Sequence, residues 1–201
     1  MSPITHLLAS WIVAAKTTDN LRDRRLVTLA GVAPDLDGLG ILFDIANGSF
    51  ARGQVYYYPE YHHWLGHGLP AALILSVVLA LFGQKKWQVF GLALLVFHLH
   101  LLCDFVGSRG PDAIDIWPIF YFGPFSRSPM WEWKHQWALD AWPNRLLTVT
   151  LFFWSLRLAV QVGDSFVGVF NHRLDGIFVN VLRKWCSQVE FLKRLSGNSL
   201  Q

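Results

Sequence analysis

Long apolar stretches separated by short polar ones dominate the chain. Residues 68–82 and 87–106 form two apolar runs joined by the polar turn Gly83-Gln84-Lys85-Lys86. The second run has about the 20 residues that a helix needs to cross a bilayer, and the first is shorter. The pattern therefore predicts a transmembrane helical hairpin whose first arm is short for a full span.

The N-terminal part carries a weaker pattern of two short helices. Ser2 or Thr5 is placed to cap the first, which we expect to end near Lys16 at a polar stretch. The second is expected to begin at Arg25 and to stop before Pro34, which a helix does not tolerate in its interior. There is no basic n-region and no cleavage site, so we do not expect a removed signal peptide.

The C-terminal half begins with residues 107–144, which are rich in Pro, Gly and Trp and resemble loops at a membrane surface. A third apolar run follows at 145–162, and from residue 165 onward the spacing is that of a basic amphipathic helix. The elements together predict an all-α helical membrane bundle with a transmembrane hairpin, interfacial Trp-rich loops and a C-terminal amphipathic helix. We divide the chain into a membrane-embedded domain at 1–163 and that helix at 164–201.

Composition supports a membrane protein with the lipid bilayer as its partner. Hydrophobic residues make up 53% of the chain and charged ones 15%, against about 25% charged residues in ordinary soluble domains. The formal net charge of +3 gives no reason to expect a nucleic acid partner. The two cysteines are far apart and form no disulfide framework.

The most informative chemistry lies at the end of the second apolar run. His100 and Asp104 are four residues apart, so a helix places them on one face. A carboxylate in a membrane helix is costly unless its charge is compensated. Imidazole and carboxylate at this spacing are suitable ligands for a metal ion.

Other histidines and aspartates fall where antiparallel helices would bring them to the same end. His67 begins the first arm of the hairpin, and His6 opens the first helix. The potential ligands on that side are His6, Asp35, Asp37, His62, His63, His67, His100 and Asp104. Most lysines and arginines lie on the other side, which by the positive-inside tendency is cytoplasmic. We therefore expect a multi-pass protein with its site on the non-cytoplasmic face.

The number of ions follows from charge. One divalent ion would leave Asp35, Asp37 and Asp104 with net negative charge in a medium of low dielectric constant. Two ions would leave a positive charge, which suits a bound hydroxide or an anionic substrate such as a phosphoester. We expect two divalent transition-metal ions, with Zn favoured and Mn or Fe as alternatives.

The motifs also carry a family resemblance over roughly residues 1–160. They are, in order, Thr5-His6, Pro34-Asp35-Leu36-Asp37, His62 with His67, and His100 with Asp104 followed by Gly107 and Trp117-Pro118. This order resembles the bacterial membrane-bound metal-dependent hydrolases described as LexA-regulated and associated with the inner membrane. It is distantly similar to the pattern of zinc-dependent phospholipase C and the S1/P1 nucleases.

The resemblance implies a set of site residues. The metal ligands would be His6, Asp35, His62, His67, His100 and Asp104. Asp104 would be a bridging ligand. The residues themselves leave three roles open for Asp37, which would be a further ligand, a general base or a group that orients a ligand histidine. Asp37 and Asp104 are therefore the catalytic candidates. In the motif of His62 and His67, the family pattern has Arg after the first histidine and Thr-His-Ser at the second, where this chain has His63 and Gly66-His67-Gly68. The choice between His62 and His63 stays open, because only His63 shares a helical face with His67.

The function that we expect is a membrane-bound metal-dependent hydrolase that cleaves a small-molecule or lipid phosphoester with metal-activated water. One alternative is a non-enzymatic membrane protein whose metal site is structural or senses metal. Another is a haem-binding membrane protein, and a third is a scaffold whose polar residues only join helices. The sequence leaves the substrate and the oligomeric state open.

Overall fold

The computed structural model of the protein describes residues 1–53, 62 and 64–197, and the regular secondary structure of this part is almost entirely helical. The seven α-helices of that part are α1 Pro3–Thr17, α2 Leu21–Ala30, α3 Gly40–Ala46, α4 Leu69–Phe82, α5 Lys86–Gly107, α6 Trp142–Val162 and α7 His172–Gly197. Short 3-10 helices lie at Ala33–Leu39, Phe50–Arg52 and Phe166–Val169, and an antiparallel pair of two-residue strands joins β1 Ile119–Phe120 to β2 Met130–Trp131. The predicted all-α fold is confirmed.

The two N-terminal helices begin where side chains cap them. Ser2 Oγ accepts a hydrogen bond from the Thr5 amide at the start of α1, as one of the two predicted caps requires. The predicted start of the second helix at Arg25 is wrong, because α2 already begins at Leu21. Asn20 caps it by accepting the Asp23 amide, so the polar stretch becomes the first turns of the helix.

The hairpin of α4 and α5 forms as predicted, but its arms differ in length. α4 has 14 residues, or about 21 Å of helix, against a hydrocarbon core of about 30 Å. α5 and α6 are long and apolar enough to cross a membrane, and α2 with the bent segment Ala33–Ala46 adds a third candidate if the pair is one broken span. α4 by itself is therefore too short to cross the bilayer.

Alanine and valine make up most of the core between the N-terminal helices and the hairpin, and larger apolar side chains of α4 and α6 point outward. The core between α1, α2, α4 and α5 contains the buried residues Ala14, Val27, Ala30, Leu79, Val89, Ala93 and Val96. Exposed apolar side chains on α4 and α6 include Leu73, Ile74, Val77, Leu81, Leu146, Val149 and Phe153. This arrangement suits helices whose outer surface contacts lipid, because the close packing then depends on small residues inside.

The Trp-rich region after α5 is fastened to the end of that helix. Gln136, which is buried, donates from Nε2 to the Asp104 carbonyl and accepts the Trp117 amide. Asn144 donates from Nδ2 to the Gly107 carbonyl at 2.8 Å. These two side chains hold the loop over the end of α5, where Asp104 lies.

Candidate metal centre

The predicted ligands meet at one end of the bundle. His6 lies in the first turn of α1, His67 immediately precedes α4, and His100 and Asp104 lie near the end of α5. These four residues are 0 to 3% exposed. Asp35 lies in the 3-10 helix that follows α2, and its side chain is 17% exposed. The predicted convergence of separate segments is present in the structure.

Nitrogen and oxygen atoms in the cluster face one another at short range. Nε2 of His100 lies 3.1 Å from Nε2 of His67 and 3.0 Å from Oδ2 of Asp104. Nε2 of His67 lies 3.5 Å from the same carboxylate oxygen, and Nε2 of His6 lies 3.1 Å from the other, Oδ1. Asp104 thus contacts three imidazoles through its two oxygens.

The outer nitrogens of two rings are already used as donors. His100 Nδ1 donates to the Gly31 carbonyl at 2.9 Å, and His67 Nδ1 donates to Asp37 Oδ2 at 2.8 Å. In the neutral rings, both Nε2 atoms therefore carry lone pairs, and these are directed at each other and at Asp104. Such an arrangement of electron-rich atoms requires a cation between them, either a proton or a metal ion.

The proton is the competitor of a metal at His67. Burial disfavours the charged ring, but hydrogen bonds to the carboxylates of Asp104 and Asp37 outweigh burial and raise the pKa of His67 to about 9. A divalent ion that binds Nε2 must displace this proton near neutral pH.

Two glycines permit the close approach that the cluster needs. A Cβ on Gly31 would overlap the Ser10 side chain of α1, so the absence of a side chain lets α1 pass and leaves the Gly31 carbonyl facing His100. A Cβ on Gly66 would lie 2.7 Å from the Pro34 carbonyl oxygen and 2.9 Å from Asp37 Oδ2. The Gly66 amide instead donates to that carboxylate oxygen at 2.9 Å.

The ligand atoms form two groups that fit metal binding. His6, Asp35, His100 and Asp104 offer one ligand atom each within 4.8 Å of one another, and the same holds for a second group made by Asp37, His62 and His67. Metal–nitrogen bonds of about 2.0–2.1 Å place two ligands of a tetrahedral ion roughly 3.4 Å apart, close to the separations found here.

Unsatisfied polar atoms also point to a missing partner in the first group. His6 Nδ1 and Asp35 Oδ2 are buried and have no hydrogen-bond partner. A buried nitrogen and a buried carboxylate oxygen in this state are costly. The chemistry of the donor set, imidazole with carboxylate, fits a divalent transition metal.

Asp37 lies behind two histidines. Its Oδ1 accepts from His62 Nδ1 at 2.7 Å while its Oδ2 accepts from His67 Nδ1. Of the three predicted roles for Asp37, this geometry favours the orientation of ligand histidines, since the ring nitrogen that it contacts is the one opposite Nε2. His63 lies outside the described residues, so the choice between His62 and His63 stays a prediction.

Some groups in the site escaped the sequence analysis. The α-amino group of Met1 contacts Asp104 Oδ1 and lies 2.6 Å from Ser108 Oγ. Ser108 in turn donates to Asp104 Oδ1 at 2.7 Å. Ser108 follows Asp104 by four residues, a helical spacing that was visible in the sequence. The Met1 amine and the Gly31 carbonyl are backbone groups and left no such signal.

Other histidines lie apart from the cluster. His98 donates from Nδ1 to the Leu94 carbonyl and pairs through Nε2 with the Tyr121 hydroxyl at 3.0 Å, so it lies on a different face of α5 from His100. His135 is exposed beside Trp133, and His172 is exposed at the start of α7.

A cavity of about 640 Å³ borders the cluster. Asp35, His62 and Asp104 form part of its wall. The remaining wall combines apolar and charged side chains, among them Pro3, Leu39, Arg109, Asp115, Trp117, Leu139 and Asp140. The cluster is therefore accessible to a small molecule from one side, although His6, His67 and His100 are buried.

These features define a helical membrane protein with a buried histidine and aspartate cluster beside a cavity. The family model described as YdjM inner membrane protein matches residues 1–173, and the chain belongs to that family. The match confirms the predicted inner-membrane family of the LexA-regulated type, while the hydrolase activity, the similarity to phospholipase C and the domain division at residue 163 stay predictions. No curated protein and no solved structure was found to match the chain.

Proposed function

We propose that the protein is a metal-dependent hydrolase of the inner membrane that cleaves a phosphoester. The observation that carries the proposal is the convergence of His67 Nε2, His100 Nε2 and Asp104 Oδ2, three lone-pair atoms within 3.5 Å of one another. Three aspartates in a largely buried cluster need cations to compensate them, and histidine and carboxylate ligands select Zn, Mn or Fe.

Two ions are the number that the cluster would hold, with Asp37 behind the ligand histidines and not among the ligands. His6, Asp35 and His100 would hold one ion together with Asp104, and His62 and His67 would hold the other. Asp104 would serve both, because its two oxygens contact histidines of different groups. Two divalent ions would exceed the negative charge of the three carboxylates, and the positive charge that remains would attract an anionic substrate.

His6, Asp35, His62, His67, His100 and Asp104 would hold the divalent ions, which when bound would supply a coordinated water of lowered pKa and a Lewis acid for a phosphoryl oxygen. The residues of the chain supply the positions. Asp37 keeps the protons of His62 and His67 on Nδ1, and the Gly31 carbonyl does the same for His100, so all three rings present Nε2. The Asp104 carboxylate joins the two halves of the site.

The cavity favours an enzyme over a closed structural metal site, which has no position for substrate. Its wall includes Arg109 together with the apolar residues Leu39, Trp117 and Leu139. A phosphoester that carries an apolar part, as a lipid does, suits such a lining. The rings of His6 and His100 stack with centroids 3.7 Å apart, which leaves no room between them for the flat macrocycle of a haem.

We place the site on the non-cytoplasmic side. The ends of α1 and α2 opposite the cluster, together with the turn between α4 and α5, carry Lys16, Arg22, Lys85 and Lys86. These segments meet in space, since Asp23 accepts the amides of Gln84 and Lys85. The basic end is then cytoplasmic by the positive-inside tendency.

Metal content and activity, measured together, test the proposal. We expect purified protein to contain about two equivalents of a transition metal by elemental analysis and to hydrolyse a chromogenic phosphodiester or a phospholipid. His100→Ala and Asp104→Asn should lose both metal and activity, because each removes a ligand from a buried site. His98→Ala is the matched control, since it lies on the same helix but bonds to Tyr121 outside the cluster.

Two results would contradict the proposal. One is wild-type metal content in both ligand variants, which would show that the cluster is not the site. The other is metal-loaded protein without hydrolysis of any phosphoester tested, which would leave a structural or sensing role for the metal.

A further inference from the structure

The C-terminal helix α7 has an exposed apolar stripe. Leu174, Ile177, Val181 and Trp185 follow one another at spacings of three or four residues, and their side chains are 57, 63, 41 and 64% exposed. This spacing places them on one face of the helix. Four large apolar side chains in a row, open to the surroundings, mark a surface that contacts something apolar.

The stripe is not the face by which α7 packs on the rest of the protein. Val179 is buried, Leu182 packs against the core cluster that contains Trp11, and the Phe178 ring contacts Phe166. At about 100° per residue, the centre of this packed face lies roughly 100° around the helix from the centre of the stripe. The stripe therefore remains available while α7 stays attached to the bundle.

Basic and then polar side chains follow the apolar stripe around the circumference of α7. Arg173 and Lys184 lie along the edge of the stripe that is remote from the packed face, and Asn180 and Ser187 lie beyond them, all four exposed. A helix that lies in a membrane surface has apolar, basic and polar faces in this order around its axis. Its apolar side enters the lipid, basic residues lie at headgroup level, and polar residues face water.

The position of α7 in the fold agrees with such a role. It follows α6, a candidate membrane span that ends at Val162, after only a short 3-10 helix. Arg183 donates to the Val160 carbonyl at 3.1 Å and so holds α7 beside the end of α6. The Lys16 ammonium lies over the Trp154 ring of α6, which places another basic residue near this end.

We propose that α7 lies on the bilayer surface, inserts its apolar stripe among the lipid chains and binds anionic headgroups through Arg173 and Lys184. The charge selects the partner. A second copy of the chain would have to bring an equally basic edge close to this one, whereas anionic lipids supply the opposite charge. The proposal is independent of the hydrolase activity, because it uses neither the cluster nor the cavity.

Spin labels on the full chain test the depth of α7 in vesicles. In a Cys103→Ala, Cys186→Ala background, Leu174→Cys and Ile177→Cys report on the stripe, and Asn180→Cys is the matched control from the same helix. We expect labels at 174 and 177 to collide with oxygen more than with a water-soluble nickel chelate in vesicles that contain phosphatidylglycerol. The label at 180 should show the reverse preference.

The charge dependence needs a second comparison. Vesicles of neutral phosphatidylcholine should give shallower labels at 174 and 177 than anionic vesicles do. Arg173→Gln with Lys184→Gln should remove that difference, while the unfolding temperature of the detergent-solubilised protein stays that of the parent, because both side chains are exposed.

Three outcomes would overturn the proposal. Nickel accessibility at 174 and 177 as high as at 180 would show that the stripe is not in lipid. Equal depth in neutral and anionic vesicles would show that headgroup charge is not recognised. Labels at 174 and 177 that are protected from nickel and also broaden each other's spectra by dipolar coupling, both in vesicles and in detergent, would show that a second copy covers the stripe.

Discussion

Asp37→Asn is the substitution that best separates the roles within the cluster. The carboxylate accepts hydrogen bonds from His62 Nδ1, His67 Nδ1 and the Gly66 amide at 2.7, 2.8 and 2.9 Å. Asn has nearly the same shape but only one acceptor oxygen, so at least one imidazole loses its acceptor. That ring can then carry its proton on Nε2, which removes the lone pair that a metal ion needs.

The size of the effect follows from this geometry. Loss of a carboxylate that orients a ligand histidine lowers metal affinity by about 10- to 100-fold, or about 1.4 to 2.8 kcal/mol. Asp104→Asn should be far more severe, because Asp104 contacts three imidazoles directly. Asp37→Asn should therefore retain metal at high concentration, and Asp104→Asn should not.

The assay is a titration of metal-stripped protein in detergent with Zn²⁺ against a fluorescent chelator. Asp19→Asn serves as the control, since Asp19 is an exposed carboxylate in the turn between α1 and α2, beyond the end of α1 that is opposite His6. Affinity in Asp37→Asn as low as in Asp104→Asn would make Asp37 a ligand. Wild-type affinity in Asp37→Asn would refute the orienting role.

Three further predictions address protonation, a buried ion pair and a close contact. Because the pKa of His67 is about 9 without metal, apparent metal affinity should rise about tenfold per pH unit up to about pH 9. In the metal-free protein the same raised pKa stabilises the fold below pH 6.5, and this stabilisation should be lost as the pH rises through 9. A metal affinity and an unfolding free energy of the metal-free protein that are both independent of pH would refute this. Arg24→Met leaves Asp164 buried without its 2.8 Å partner and should cost about 3 to 5 kcal/mol of unfolding free energy in denaturant titrations, and a loss under about 1 kcal/mol would contradict it. Gly66→Ala should lower metal affinity, because the added Cβ at residue 66 displaces the Asp37 carboxylate. Unchanged metal affinity would show that the loop before α4 adjusts to the added Cβ.

The sequence predicted the meeting of the main ligands because helix direction determines it. A hairpin with a short turn must bring the start of its first arm and the end of its second to one side, so His67 had to lie near His100 and Asp104. The same argument applied to α1 placed His6 there as well. No knowledge of side-chain packing was needed for these contacts.

Contacts through backbone groups and distant polar side chains had no comparable signal. Nothing local in the sequence shows that the Gly31 carbonyl accepts from His100, or that Gln136 bonds to the Asp104 carbonyl. The start of α2 was missed for another reason. Its first turns carry Asp23 and Arg24, which look like a solvated turn but are buried by partners on other elements, the turn after α4 and Asp164.

Burial and charge in the cluster depend on each other. His67, His100 and Asp104 are almost completely withdrawn from solvent, so their polar atoms depend on each other and on a few neighbouring groups of the protein. These groups are the side chains of His6, Asp37 and Ser108, the Met1 amine and the Gly31 carbonyl. With neutral imidazoles, the Met1 ammonium would be the cation in contact with Asp104, and the Nε2 lone pairs of His67 and His100 would still oppose each other. Protons can relieve this, as the raised pKa of His67 indicates, and so can divalent ions, which bind several of these atoms at once. The competition between protons and metal at His67 is therefore a consequence of the fold itself, and it is the property by which a metal centre here can be distinguished from a purely structural polar network.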